Sequence, residues 1–137
     1  MDPVLKSFLA GVPAVMGHFA VTVAFLVIGA ALYARLTPHR EFELIRGGNT
    51  AAAISFAAAV TGLAIPLAAS MASSLLLAEV AVWGAFAVAG QLLAYFLVDR
   101  LFRELPRRIE RGETAAAIAL AGIKLAVSII GAASVTA

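Results

Sequence analysis

The sequence predicts an all-α membrane protein. Four transmembrane helices form two tandem helix hairpins of the same orientation, with a short interfacial helix in each of two cytoplasmic loops. Three observations lead there. The chain has 137 residues, 63% hydrophobic and only 13% charged, with a mean hydropathy of +1.01, whereas soluble domains average about 25% charged. Four apolar runs of about 22 to 26 residues alternate with polar segments, and roughly 20 residues suffice to cross the hydrocarbon core. One stretch also occurs twice: Gly48-Asn49-Thr50-Ala51-Ala52-Ala53-Ile54 returns 64 positions later as Gly112-Glu113-Thr114-Ala115-Ala116-Ala117-Ile118. At the same offset Ile45 pairs with Ile109, Ala57 with Ala121, Ile65 with Ile129, and Ala68-Ala69-Ser70 with Ala132-Ala133-Ser134. The chain reads as a duplicated unit, with repeats over 1–72 and 73–137.

The first apolar run extends from Phe8 to Tyr33, with a span over about 10–34. A cleaved signal is the competing reading. The run exceeds the 7 to 15 residues of a signal core, and the stronger basic cluster follows it rather than precedes it, so it reads as a retained helix. In the next segment, Arg35 to Gly48, Thr37 suits an N-cap, Pro38 the first helical position, and Gly47-Gly48 the stop. Phe42 and Ile45 can share a face toward the headgroups while Arg40, Glu41 and Glu43 stay in water. The second run, about 50–72, contains Pro66, which predicts a kink. The short connection Ser70 to Ser74 leaves room only for a tight hairpin.

The third run, about 75–98, carries Glu79, Trp83, Gln91 and Tyr95, with the two large aromatics toward its ends, as in interfacial belts. Leu101 to Arg111 repeats the surface helix around Leu105 and Ile109. The fourth run, about 114–135, is interrupted by Lys124 alone. Eight of the ten Lys and Arg residues (Arg35, Arg40, Arg46, Arg100, Arg103, Arg107, Arg108 and Arg111) fall in the two loops on one side. Basic loops stay cytoplasmic, so both termini face the periplasm. With two helices per unit, both repeats point the same way, unlike the inverted repeats of many transporters.

Composition excludes several functions. Without cysteine there is no disulfide, thiolate metal site or cysteine nucleophile. The pI is near 9.5, but the net charge is only +2. The basic residues sit between spans, so topology explains them and nucleic acid is not a partner. No phosphate-cradling loop, nucleophile elbow or zinc motif is present, and the chain reads as non-enzymatic, without cofactor or metal.

Four polar residues fall within the spans. Lys124 costs about 2.5 to 3.5 kcal/mol to insert, and its repeat partner is Val60, so the duplicated fold does not demand it. Gln91 lies at similar depth and could hydrogen bond to it. Lys124 is then either a snorkelling or neutral, locally bonded lysine, or a charge in a water-filled path or subunit contact. His18 and Glu79 belong to the outward half, where they mark the headgroup boundary or, side by side, relay protons. Ala81, Ala85 and Ala89 are spaced by four, and Ala58 with Gly62 and Gly122 with Ala126 repeat the pattern. Such stripes serve bundle packing or a subunit interface.

Thr37-Pro38-His39-x-Glu41 leads into Leu44-Ile45-Arg46 and Asn49-Thr50-Ala51-Ala52. Together with Ile65-Pro66-Leu67, Trp83-Gly84, Gln91-Leu92-Leu93 and Thr114-Ala115-Ala116, this pattern resembles the YjfL-like bacterial inner-membrane family, domain of unknown function 350. The match spans essentially the whole chain. The C-terminus departs from it: Gly131-Ala132-Ala133-Ser134-Val135-Thr136-Ala137 stands where the family pattern has Asn-Ala-Ala-Cys-Met-Thr and an aromatic. The resemblance implies an inner-membrane protein of two tandem two-helix units with no established activity, an anchor for cytoplasmic partners.

The leading expectation is an oligomeric membrane anchor or accessory subunit whose Arg40, Arg46, Arg100, Arg103, Arg107, Arg108 and Arg111 engage anionic headgroups or a partner. The alternative is a small ion or proton channel lined by Lys124, Gln91, His18 and Glu79.

Overall fold

In the computed structural model, which describes residues 2–37 and 41–136, the chain forms helices α1 (Pro3–Leu36), α2 (Glu41–Arg46), α3 (Thr50–Ser73), α4 (Leu77–Leu101), α5 (Glu104–Glu110) and α6 (Thr114–Thr136). The order long, short, long therefore occurs twice. The four long helices are apolar and long enough to span a membrane. Pro38, Arg40 and His39, in the first basic loop, lie outside the described residues.

Each start and stop has a local cause. Asp2 accepts from the Val4 amide at 2.9 Å and Pro3 opens α1, so this helix begins nearly two turns before the predicted span. Thr37 ends α1, its amide and hydroxyl both donating to the Tyr33 carbonyl at 2.9 and 2.5 Å; its expected role as the N-cap of the next helix falls on contacts to 38–40, outside the described residues. Gly48 and Gly112 both take left-handed backbone, at φ +86° and +83°. Each closes the same helix stop, with amides returning to Ile45 and Leu44 in one case and to Ile109 and Arg108 in the other. Asn49 then starts α3 by accepting from the Ala52 amide at 3.0 Å. The hairpin between α3 and α4 is residues 74–76, as tight as the uncharged sequence predicts. Pro66 sits in α3 without breaking it.

α3 is the central helix. Half of its apolar span is buried, against 6% for α1, and it packs most extensively on α6 while also touching α1, α2, α4 and α5. The doubled Thr-Ala-Ala-Ala start explains that pairing. Ala51, Ala52, Ala116 and Ala117 are all buried in one cluster with Ile109 and Leu120; side chains of one carbon let the two backbones approach, where dispersion between them is strongest. The short helices are held down by the same cluster through Leu44, Ile45, Leu105 and Ile109. Asn49 adds a polar tie, its side-chain amide donating to the carbonyls of Ile109 at 3.0 Å and Glu110 at 3.3 Å.

About three helical turns further along, α3, α4 and α6 close around Gly62. The Tyr95 hydroxyl donates to the Ala59 carbonyl at 2.9 Å, and the Ser128 hydroxyl donates to the Gly62 carbonyl at 2.5 Å. A side chain on Gly62 would overlap the Tyr95 hydroxyl. Tyr95 is therefore an interior residue rather than an interfacial one, whereas Trp83 stays outside against Phe86. The small-residue stripes divide in the same way. Gly62 is buried, Ala58 and Ala81 are half-buried, and Ala85, Ala89, Gly122 and Ala126 face outward.

Gly62→Ala is expected to lower the stability of the detergent-solubilised protein by about 1 to 3 kcal/mol, the usual cost of overpacking. Gly122→Ala, in open space, should stay within about 0.5 kcal/mol. Thermal unfolding of the two variants side by side checks this, and equal effects would contradict the packing described.

Candidate functional site

Lys124 is only 1% exposed. The Cα–Cβ bonds of a helix tilt toward its N-terminus, so the lysine runs down α6 toward the arginine-rich end of the bundle. There its ammonium donates to the Tyr33 hydroxyl at 2.8 Å and pairs with the Asp99 carboxylate at 3.1 Å. It also lies 4.7 Å from the Tyr33 ring centroid and 5.2 Å from that of Tyr95, within the range of cation–π attraction. The two rings meet edge to face, 5.5 Å apart. Helices α1, α4 and α6 thus each contribute to one cage.

Glu41, at the start of α2, adds a second acid. It is 1% exposed and acts electrostatically on both Tyr33 and Lys124. The expectation that Glu41 and Glu43 share a solvated loop therefore holds for Glu43 alone, since Glu41 is buried at the start of α2. The buried hydroxyl of Ser55 on α3 flanks Tyr33.

Asp99 also faces outward. It forms part of the wall of a cavity of about 240 Å³ between the ends of α1 and α4 and the length of α5, lined by Leu36, Phe96, Asp99, Arg100, Arg103, Pro106, Arg107 and Glu110. A void of about 10 Å³ bounded by Tyr33, Thr37, Tyr95 and Asp99 shares three of these residues and links the cavity wall to the cage. The Arg100 guanidinium is parked over the Phe96 ring at 5.1 Å. Among the described residues, Arg100, Arg103 and Arg107 make no ion pair, whereas Arg108 is paired with Glu113.

The structure separates the other polar candidates from this cage. Lys124 reaches past the depth of Gln91 and bonds to Tyr33 instead. Gln91 is buried against Gly131, in a groove of about 260 Å³ between α3, α4 and α6. The His18 ring bonds to the Ala14 carbonyl of its own helix at 2.8 Å, and Glu79 accepts from the Leu75 amide at 3.2 Å beside the start of α4. These four residues do not converge on one path. Arg46 and Arg111 are exposed, and Arg40 is outside the described residues.

Sequence reasoning overlooked Tyr33, Tyr95, Asp99 and Glu41. A signal was available. At the repeat offset Tyr33 pairs with Leu97, Tyr95 with Ala31, Asp99 with Arg35 and Glu41 with Leu105, so the cage is built where the two halves differ in polarity. The spacing of Tyr95 and Asp99 by four also places them on one helix face.

A helical bundle with four membrane-length spans, a caged lysine and an arginine-lined cavity at one end defines a polytopic integral membrane protein. The chain belongs to the family Domain of Unknown Function (DUF350), whose model matches residues 7–135. It is 32% identical over 119 residues to the UPF0719 inner membrane protein YjfL of Escherichia coli strain K12, covering 87% of this chain and 90% of that protein, and equally so to the protein of the same name in Escherichia coli O157:H7. No solved structure matches the chain.

Removing one partner of a buried ion pair leaves an uncompensated charge at a cost of about 3 to 5 kcal/mol. Lys124→Met and Asp99→Leu should each destabilise the detergent-solubilised protein on that scale, while the double variant recovers most of the loss. Additive effects in the double-mutant cycle would show that the two residues are not coupled.

Proposed function

We propose that this protein is a non-enzymatic, oligomeric anchor or accessory subunit of the bacterial inner membrane. Its two tandem helix hairpins place both termini in the periplasm, and α2 and α5 lie at the cytoplasmic headgroup level, where their arginines engage anionic lipid or a cytoplasmic partner. One observation carries the reading. The basic residues of two segments far apart in sequence gather at a single end of the bundle, where Arg35, Arg46, Arg100, Arg103, Arg107 and Arg111 are exposed. Each such charge adds about 1 kcal/mol of attraction to an anionic leaflet. Burial of Ile109 and Pro106 beneath α5 supports a helix that lies on the bundle with its arginines turned away. The outward faces of Ala85, Ala89, Gly122 and Ala126 support self-association through close helix contact. The relatives' name, inner membrane protein, agrees with the location.

Converting Arg103, Arg107 and Arg108 together to Gln should reduce co-purifying anionic lipid or partner at least severalfold, read by native mass spectrometry of the membrane-extracted protein. Unchanged co-purification would dismiss the role of these loops. Labelling that found Arg46 and Arg107 in opposite compartments would dismiss the topology.

A further inference from the structure

We propose that the cavity walled by Leu36, Phe96, Asp99, Arg100, Arg103 and Arg107 binds the phosphate of one anionic phospholipid, and that Lys124 keeps it open to an anion by engaging Asp99. The proposal rests on the reading of this end as headgroup-facing, and sharpens a diffuse attraction into one site.

Arg100 comes from the last turn of α4, Arg103 from the turn that follows and Arg107 from α5, and all three line the same cavity. Having no carboxylate partner among the described residues, they are available to an incoming anion, and guanidinium forks suit phosphate oxygens. Leu36, Phe96 and Pro106 add an apolar part to the same wall. A free phosphate ion would leave that part uncovered, whereas a lipid sets glycerol and chain against it. At about 240 Å³, below the roughly 300 to 1,000 Å³ of pockets that enclose drug-sized ligands, the space suits a headgroup with its chains outside.

Asp99 stands in the wall of this cavity. An uncompensated carboxylate there would repel an anion and claim the arginines for itself. Lys124, 3.1 Å away on the inner side and fixed by Tyr33 and Tyr95, offsets that charge. With Asp99 balanced, three guanidiniums face only the exposed rim carboxylate of Glu110, and the cavity keeps net positive charge. The buried lysine is thus a positioning residue for an anion it does not touch.

The test uses the full chain, delipidated in detergent and titrated with phosphatidylglycerol, phosphatidylcholine and inorganic phosphate. Phosphatidylglycerol should bind saturably at one per chain, and more tightly than the other two. Arg100→Gln with Arg107→Gln should weaken it about tenfold or more, since each lost charged hydrogen bond is worth that factor. Arg46→Gln with Arg111→Gln removes the same charge outside the cavity and should change binding by less than about threefold. Lys124→Met should weaken binding as the cavity pair does, Lys124→Arg should retain it, and adding Asp99→Asn to Lys124→Met should restore it.

Equal losses from the two arginine pairs would overturn the site while leaving the general lipid-engaging role standing. Inorganic phosphate binding as tightly as the lipid would overturn the lipid assignment. Failure of Asp99→Asn to rescue a folded Lys124→Met chain would overturn the part given to the lysine. Should Lys124→Met not fold, the exposed arginine pairs still decide the site.

Discussion

An ammonium group withdrawn from water is stable only where other oxygens and π faces take over its hydration, and Lys124 meets that requirement by drawing on three helices at once. Tyr33 comes from α1, Tyr95 and Asp99 from α4, and the lysine itself from α6. Most of the apolar span of α1 is uncovered by protein, and along its inner side Phe25 and Gly29 pack against α3 and α4. Its lower end is fixed by Tyr33, which brings a hydrogen-bond acceptor and a ring edge that no aliphatic side chain could supply. Polar contacts thus set the arrangement at one end of a bundle whose remaining contacts are mostly apolar and weakly directional.

The close approach of α3 and α6 makes this geometry possible. Alanine at the first turns and glycine at position 62 bring three backbones near enough for Tyr95 and Ser128 to reach carbonyls on α3. The helices are pinned on one side by small residues and on the other by a cation cage. Between those two constraints, the cavity beside α5 is a gap left by side chains that are already committed elsewhere: Asp99 inward to Lys124, Arg100 onto Phe96.

Much of the fold is legible in the sequence because it rests on periodic and local signals. Runs of apolar residues give the four spans, glycines past the last helical residue give both stops, and Asn49 gives the start of α3. Thr37 has a second role that its position before Pro38 does not announce, as the residue that ends α1 on the Tyr33 carbonyl. The cage was half legible. Lys124 stands out as a charge in lipid, but its partner depends on the downward tilt of a lysine along α6, which moves the ammonium away from the depth of its own Cα and away from Gln91. Glu41 was hidden by its neighbours, since a carboxylate in a charged loop looks solvated until a buried cation is placed beneath it.

Asn49 joins the two halves in a way that neither half could manage alone. One amide starts α3 and also grips the last carbonyls of α5, while the corresponding Glu113 before α6 holds only the nearby Arg108. The linkage is therefore one-sided. Whatever displaces α5 tugs directly on the opening turn of the central helix, whereas among the described residues Glu113 makes no corresponding hydrogen bond from the opening turn of α6 onto α2. Through one side chain the bundle acquires a preferred direction for passing mechanical strain inward.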